Sequence, residues 1–535
     1  MSGRHSEAVR GLMATKRSRL FQGTFGRMFR LIPAATYGKD DAESEANLLK
    51  LGAVMSAEFE APKDVKDEEE SGIPTLYTYL AQFIDHDLTF DPSSIAQKQN
   101  DVDALTDFRS PAFDLDSVYG RGPSDQPYLF DTDGKTFLFG HPLKGGDPRA
   151  RDLQRAGPGA SRALIGDPRN DENSLVSQLH GLFLRFHNRV VAEHPAWSFE
   201  DVQQFVRFHY QFVVLNDFLP RIVIPSVLAE LKSHGHYDRH KLEFFHPRNQ
   251  SFMPVEFAGA CYRLGHSMVR PGYRVNDGIL LPIFPVPPDF PDGLTGFRAM
   301  PPDRGIDWGR FIDIDVRSYD GTDAVNRKRL QFAYRLDTSL VNPLANLPLS
   351  VAGDPPHSLA GRNLVRSLRL GLPSGQRVAR AMRVTPLKDR DILIGKATGA
   401  AGDAVPINDK SLGLGKAFEE NCPLWTYILA EAMRHAEPVK IPVLESVKID
   451  TPRLGPVGGR VVAEVFVGLL FGDPGSFLNV DPLWQPAAGP GYALKDFVKF
   501  ALGGEGQRET IVEADLAVRP SRKAGTKARR GKRRG

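Results

Sequence analysis

Residues 74–90, PTLYTYLAQFIDHDLTF, carry four side chains toward their C-terminal end that can do chemistry: Gln82, Asp85, His86 and Asp87. A histidine exchanges protons near neutral pH, and carboxylates bind cations. Because successive side chains on a helix turn by roughly 100°, Asp85, His86 and Asp87 point in three directions. One helix end can therefore address three different partners.

The apolar pattern around these side chains predicts the element that holds them. Apolar residues recur at positions 76, 79, 80, 83 and 84, so we expect an amphipathic helix that starts at Pro74. The same periodicity predicts further helices over residues 171–193, 199–219, 255–269, 363–370, 424–434 and 460–471. Strand signals are few, so the sequence predicts a mainly α-helical fold.

Composition limits the possible classes of protein. The chain has 535 residues, of which 41% are hydrophobic and 25% charged, as in globular proteins. Its two cysteines, Cys261 and Cys422, exclude a disulfide framework. The longest apolar run, residues 461–472, contains Glu464 and is too short to span a bilayer, so no membrane span is expected.

Basic residues are concentrated at the two ends. Residues 1–30 carry a net charge of +6 and residues 520–535 a net charge of +8, so the rest of the chain carries −11. We expect a basic arm over residues 1–30, one large domain over residues 31–505 and a basic tail over residues 506–535. The tail is either a solubilising end or a weakly attractive one for anionic surfaces, with no specific nucleic-acid partner. No apolar stretch follows the basic start, so no classical signal peptide is expected, and localisation stays open.

Two further side chains have a chemical and a structural interpretation. His266 lies on an apolar segment, where a buried histidine is usually a core residue but can also bind haem iron. Arg169 lies in a turn before the helix predicted over residues 171–193, where Asp171 or Asn170 is a plausible cap. Alone, Arg169 would be expected to pair with a neighbouring carboxylate.

Four motifs taken together are more specific than any one of them. QFIDHD at 82–87, GDPRNDEN at 166–173, RFHNR at 185–189 and YRLGHSMV at 262–269 occur in this order. The arrangement resembles the animal-type haem peroxidase superfamily, which includes leukocyte, milk and thyroid peroxidases, peroxinectins, cyclooxygenases and α-dioxygenases. The resemblance covers roughly residues 30–475 and implies a single large helical haem domain. We expect a bacterial member.

The resemblance implies roles for five side chains around a haem b. His86 matches the distal histidine, a general base for the peroxide proton, and Arg169 matches the distal arginine, which stabilises negative charge. Gln82 matches a glutamine of the small-anion pocket. His266 matches the proximal iron ligand, and Asn363 matches the asparagine that accepts its other N–H.

Further matches concern the edge of the haem. Arg263 and Arg366 match arginines near the haem propionates, although ordinary ion pairs are the alternative. Asp85 and Glu172 match carboxylates that form esters with haem methyl groups in the mammalian enzymes, although hydrogen-bonded carboxylates are the alternative. Asn173, not methionine, follows Glu172, so no sulfonium link is expected.

The resemblance also implies a calcium site. Its ligands would be Asp87, Ser110, the Ala112 carbonyl, Asp114 and Asp116, all of which offer oxygen. The family has serine where this chain has Asp116, which adds a negative charge. The alternative is a loop of Asx turns without a metal.

The leading functional hypothesis is a haem peroxidase that reduces hydrogen peroxide through an oxyferryl intermediate and oxidises halide, thiocyanate or phenolic donors. One rival is a fatty-acid dioxygenase, but its radical tyrosine stands three residues before the proximal histidine, where this chain has Arg263. A second rival is a peroxinectin-like adhesion protein, although no Arg-Gly-Asp triplet occurs. The electron donor and the oligomeric state do not follow from the sequence.

Overall fold

A computed structural model describes residues 23–89, 106–107, 109–157, 161–247, 251–321, 328–349 and 351–503. Most of the predicted basic arm, residues 1–22, and the whole predicted tail lie outside the described residues. The end of the arm is part of the fold, because Gly23–Gly26 forms a strand. The proposed domain limits at residues 31 and 505 stay predictions.

Helices make up most of the regular structure in the described part of the chain. They are α1 (Asp41–Val54), α2 (Leu76–Leu88), α3 (Asp116–Tyr119), α4 (Ser174–Glu193), α5 (Phe199–Val213), α6 (Leu219–Ile222), α7 (Pro225–Glu230), α8 (Val255–Gly259), α9 (Leu359–Arg369), α10 (Gly375–Ala381), α11 (Leu424–Met433), α12 (Gly458–Gly472), α13 (Phe477–Val480) and α14 (Leu494–Leu502). A π-helical turn, Val214–Phe218, joins α5 to α6. The predicted mainly α-helical fold is confirmed.

The strands are short and form small sheets. They are β1 (Gly23–Gly26), β2 (Glu70–Pro74), β3 (Thr106–Asp107), β4 (Phe139–Pro142), β5 (Arg151–Leu153), β6 (Lys232–Ser233), β7 (His236–Tyr237), β8 (Met253–Pro254), β9 (Gly272–Arg274), β10 (Leu280–Pro282), β11 (Phe332–Tyr334), β12 (Leu393–Gly395), β13 (Ala404–Pro406), β14 (Ala436–Lys440) and β15 (Lys448–Pro452). One sheet has the order β3-β1-β8, with β1 antiparallel to β3 and parallel to β8. The others are two-stranded and antiparallel, including β2 with β11, which pairs Pro74 with Phe332.

The core is built around helices that are apolar on most of their surface. Nearly every residue of α12 from Gly458 to Leu470 is buried, as expected for a helix inside a large domain. The leucine-rich α4 packs against α14 and α2, and Phe83 of α2 stacks on Phe183 of α4 with ring centroids 4.4 Å apart. This packing fixes the rotation of α2 about its own axis and so the directions of its polar side chains. No helix in the described ranges has the length and apolar character needed to cross a membrane.

Some predicted boundaries are wrong for identifiable reasons. Pro74 ends β2, and α2 begins at Leu76. The helix predicted from residue 171 begins at Ser174, because a separate 3-10 turn, Pro168–Asp171, precedes it. The helix predicted over residues 255–269 is two pieces, because Ala260 has φ −139° and ψ −69°, outside the helical region. Among the described residues, six α-helices lie outside the predicted ranges, namely α1, α3, α7, α10, α13 and α14.

Candidate active site

The C-terminal half of α2 and the segment before α4 form one side of the site. Gln82 Nε2 donates to a carboxylate oxygen of Glu172, and Asn173 Nδ2 donates to Gln82 Oε1 at 3.1 Å. His86 Nε2 lies 3.7 Å from Glu172 Oε1. The structure thus brings Gln82 and His86 of α2 together with Glu172 and Asn173, which follow about 90 residues later in the sequence.

Arg169 reaches the same helix end from the 3-10 turn Pro168–Asp171. Its Nη2 donates to the carbonyls of His86 at 3.0 Å and Thr89 at 2.5 Å. Carbonyls at the C-terminal end of a helix such as α2 have no partner within the helix, so they are free to accept from a side chain. The same guanidinium pairs with Asp167 at 2.7 Å. The structural expectation for Arg169, pairing with a neighbouring carboxylate, therefore holds alongside its position beside His86.

Two ionisable groups on this side have strongly shifted pKa values. Burial and the nearby Arg169 charge lower the pKa of His86 to about 4, so the imidazole is neutral and can accept a proton at neutral pH. Burial raises the pKa of Glu172 to about 7. The Glu172 side chain nevertheless keeps 35% of its surface open. It therefore faces a space enclosed by protein rather than bulk water.

The opposite side of the site is the 3-10 helix Cys261–His266. The His266 ring is partly open to a space, yet burial and the charges of Arg263 and Arg366 lower its pKa to about 3. Its Nδ1 lies 2.8 Å from the amide nitrogen of Asn363, on α9. In this orientation the amide donates to Nδ1. The two ends of an amide are alike in shape, and a half-turn of the group would present its oxygen to Nδ1. Only in that second orientation would His266 carry its proton on Nδ1 and leave Nε2 free.

An ion pair joins the two sides. Arg263 Nη1 donates to Asp85 Oδ2 at 3.0 Å. Burial alone would raise the pKa of Asp85, but Arg263, Arg169 and both imidazoles together lower it. The Asp85 carboxylate is therefore close to His86 and to His266. The two histidines lie on neighbouring helices, α2 and the 3-10 helix Cys261–His266.

Three carboxylates form a cluster behind His86. Ligand oxygens of Asp87, Asp114 and Asp116 all lie within 4.8 Å of one another, and all three residues are buried. Leu115 between two of them has a φ of +56°, a left-handed conformation that is rare for a bulky residue. Burial, together with the other two carboxylates, raises the pKa of Asp87 far above its usual range. Such mutual repulsion between buried oxygens would be relieved by a hard cation.

The rest of the predicted calcium loop lies beside this cluster. Ser110 Oγ donates to Asp114 Oδ2 at 2.6 Å, and the Ala112 N–H donates to the Ser110 carbonyl at 2.7 Å. Asp87 also accepts from Ser117 Oγ at 3.1 Å. The donor set consists of oxygen only and fits Ca²⁺.

Buried charges connect the cluster to Arg169. Arg109, only 3% exposed, lies 3.2 Å from Asp116 Oδ1 and 2.5 Å from Asp167 Oδ2. Asp167 also pairs with Arg169. The additional carboxylate at Asp116 thus has an arginine partner, and an unbroken chain of ion pairs leads to the candidate catalytic arginine.

The geometry fits a haem. An imidazole with an amide partner at Nδ1 lies on one side, and a neutral imidazole beside a guanidinium lies on the other. Asp85, Glu172 and Arg263, close to these rings, are only partly buried. A haem needs an enclosed space and a side chain that binds its iron, and a neutral imidazole is one of the standard ligands. The sequence profile of the family described as Animal haem peroxidase matches residues 106–280.

Residues 106–280 of this chain belong to an animal haem peroxidase family domain. The family implies that the chain binds haem. The matched region contains the candidate cation loop, Arg169, Glu172 and His266, whereas α2 with His86 and α9 with Asn363 lie outside it.

Relatives of the peroxidase domain agree with this assignment. Human thyroid peroxidase is 27% identical over 327 residues, which are 54% of this chain and 32% of that protein. The chain spans about a third or less of the length of the first curated relatives it matches.

Solved structures show the same fold. Peroxidase A from Dictyostelium discoideum has a TM-score of 0.52 at 16% identity and covers 85% of this chain and 88% of that chain. A fatty acid alpha-dioxygenase from Oryza sativa has a TM-score of 0.50 at 16% identity and covers 90% and 79%. At these identities the likeness concerns the fold alone.

Sequence reasoning missed several residues of the site. Asp171 or Asn170 was expected to cap the helix that follows Arg169, but Asn173 caps α4 and Asp167 caps the 3-10 turn. The Asn170 side chain contacts His86 and His180 instead. Arg109 was not singled out, although its place directly before the predicted calcium loop was a signal. Arg369, to which the sequence assigns no role, pairs with Glu45 of α1 at 3.3 Å.

Proposed function

We propose that this protein is a haem b peroxidase that uses hydrogen peroxide to oxidise small anions or phenols. The observation that supports this best is the pairing of His266, with its amide partner Asn363, against a neutral His86 beside Arg169. This arrangement supplies one side for an iron ligand and one side for proton transfer. The family assignment and the fold are consistent with it.

The proximal residues would hold the cofactor. His266 would bind the iron through Nε2 while its Nδ1–H donates to the Asn363 oxygen, because a ligating imidazole carries its proton on the other nitrogen. Arg263 and Arg366 would pair with the propionates. Bound haem would supply the electrons that reduce peroxide and the oxidising capacity that the donor then consumes.

The distal residues would handle the peroxide proton. His86 Nε2 would take the proton from one peroxide oxygen and return it to the other, which leaves as water. The fixed positive charge of Arg169 would stabilise the negative charge that develops as the O–O bond of the peroxide breaks. Its hydrogen bonds to the His86 and Thr89 carbonyls hold the guanidinium against α2, so little reorganisation is needed.

Glu172 and Asp85 are proposed haem-edge carboxylates. Glu172 is held by Gln82, and its raised pKa means that a substantial fraction is protonated at neutral pH. Gln82 and Asn173 would offer amide groups to a small anionic donor. Ester links from Asp85 and Glu172 to haem methyl groups are tested by acid-acetone extraction after peroxide treatment, where freely extractable haem would argue against them.

We also propose calcium at Asp87, Asp114 and Asp116, with Ser110 and the Ala112 carbonyl. Asp87 directly follows His86 on α2. A cation there would anchor the helix end from which His86 projects.

The test is an absorption spectrum of the purified protein before and after one equivalent of peroxide. Wild type is expected to show a haem band that changes rapidly, and His86→Ala is expected to slow this change by about 10²–10⁴-fold. The matched control is His246→Ala, which removes an exposed imidazole that contacts the Glu243 carbonyl. An equally fast change in His86→Ala would remove the general-base assignment.

A dioxygenase is less well supported by the site. The position three residues before His266 is Arg263, which pairs with Asp85, so no phenol stands there. Rapid oxygen uptake with a fatty acid in the absence of peroxide would favour the dioxygenase instead.

A further inference from the structure

A buried hydrogen-bonded chain lies directly behind His86. Asn170, the residue after Arg169, presents Oδ1 to His86 Nδ1 at 2.8 Å. Its Nδ2 lies 3.0 Å from Nδ1 of His180, on α4. Asn170 and His180 are 0% exposed and His86 is 4% exposed. One amide therefore connects two imidazoles away from bulk water.

The chemistry of the amide restricts both rings. An amide oxygen only accepts and an amide nitrogen only donates. His86 Nδ1 must therefore carry a proton, which leaves the lone pair on Nε2. His180 Nδ1 must accept, so its proton lies on Nε2, which has no hydrogen-bond partner among the described residues.

The opposite amide orientation would reverse both rings. His86 would then carry its proton on Nε2, the nitrogen that lies 3.7 Å from Glu172. A ring in that state cannot accept a proton from a substrate at Nε2. The orientation of one buried side chain thus decides whether the distal imidazole is ready to act as a base.

We propose that Asn170 and His180 are positioning residues that hold His86 with its proton on Nδ1 and its lone pair on Nε2. This inference rests on the proposed function for its consequence, since a prepared base matters only if peroxide is deprotonated there. The assignment of the two tautomers follows from the orientation of the Asn170 amide, with Oδ1 toward His86 and Nδ2 toward His180. Asn170 touches the base rather than the reacting atoms.

The direct test is the tautomeric state of the two rings. Nitrogen-15 NMR of protein labelled at its 14 histidines reports which ring nitrogen carries the proton, and the ferrous carbon monoxide form keeps any haem diamagnetic. The variants His86→Gln and His180→Gln assign the signals. We expect Nδ1–H for His86 and Nε2–H for His180.

Asn170→Asp makes the test specific. A carboxylate accepts at both ends, so His86 should stay protonated on Nδ1 while His180 changes to the Nδ1–H form. Asn216→Asp, an exposed position whose amide contacts only its own helix turn in the described structure, should change neither ring. A His180 ring that does not respond to Asn170→Asp, or a wild-type His86 protonated on Nε2, would overturn the proposal.

A kinetic measurement separates positioning from a purely structural role. Asn170→Leu removes the acceptor and is expected to slow the reaction with peroxide about tenfold to a hundredfold, whereas Asn170→Asp keeps the acceptor and should retain most of the rate. Equal losses in both variants would contradict the proposal, and if Asn170→Leu does not fold, the tautomer change in Asn170→Asp decides. Absence of any haem band would refute the proposed function instead, and the tautomers can still be read in that protein.

Discussion

Replacement of Asp167 by asparagine should destabilise the protein and loosen Arg169. The Asp167 carboxylate is 0% exposed and accepts from Arg109 Nε at 3.0 Å and Nη2 at 2.5 Å. It also accepts from Arg169 Nη2 at 2.7 Å and from the Arg169 backbone N–H at 2.9 Å. An asparagine would keep the shape but leave two guanidinium groups without this negative charge.

The contacts bound the size of the effect. Loss of one partner from a buried ion pair typically costs about 3–5 kcal/mol of the free energy of unfolding. Arg109 would retain Asp116 at 3.2 Å, and the Arg169 side chain is 23% exposed, so we expect the lower end, about 3 kcal/mol. That is a large part of the roughly 5–15 kcal/mol typical of whole domains.

The effect should depend on pH in a defined direction. Burial alone would raise the pKa of Asp167, but Arg169 and Arg109 outweigh it and hold the pKa well below the unfolded value of 3.8. The native state therefore binds fewer protons than the unfolded state in acid. The stabilisation by Asp167 is complete above pH 3.8 and declines as the pH falls below it. The difference between wild type and Asp167→Asn should shrink there.

Denaturant unfolding of both proteins, followed by circular dichroism, measures the difference. The matched control is Asp315→Asn, whose carboxylate pairs with Arg317 Nε at 2.6 Å but is 51% exposed. Since exposed pairs contribute little, this control should lose less than about 1 kcal/mol. The reasoning is refuted if Asp167→Asn loses no more than the control at neutral pH.

Two further predictions concern other buried carboxylates. Calcium should raise the midpoint of thermal unfolding, and chelation should lower it. Asp114→Asn should abolish this dependence on calcium, whereas the exposed turn variant Asp133→Asn should keep it. A wild-type midpoint that does not respond to chelation would rule out the site. The Glu431 carboxyl group accepts from the Val457 and Gly458 N–H groups. Burial raises its pKa from 4.5 to about 7. Between these two pH values the native state therefore holds a proton that the unfolded state has lost. Stability should therefore fall as pH rises from about 4.5 to about 7, and Glu431→Gln should flatten this slope in urea unfolding measured across that range; an unchanged slope would contradict the assignment.

Local pattern was sufficient for some elements and not for others. The helix predicted over residues 74–90 exists as α2 because its apolar face packs on α4, and only its ends moved. The acidic residues of the stretch 57–71 would by their charge alone indicate a solvated connection. Glu69 and Glu70 are instead buried, and Glu70 pairs with Arg270 and Arg329. Charge alone does not reveal a partner about 200 residues away.

The proximal segment shows the same limit. Its apolar residues predicted one helix over residues 255–269, but Ala260 breaks it and the 3-10 helix Cys261–His266 follows. After that break the chain continues as a 3-10 helix, from which His266 contacts Asn363. Periodicity reports which residues are buried, but it does not report where a helix must bend to let a side chain meet its partner.

By itself the sequence determined the mainly α-helical class, the side-chain types at the site and the family resemblance, because these depend on order and spacing along the chain. Only the tertiary structure decided which of them meet: Asp85 with Arg263 across 178 residues, and His86 with Asn170 across 84. It also gave Asn170 a contact with His180 in place of a cap. The physical reason is that a hydrogen bond depends on distance and direction in space, and packing of distant helices sets both.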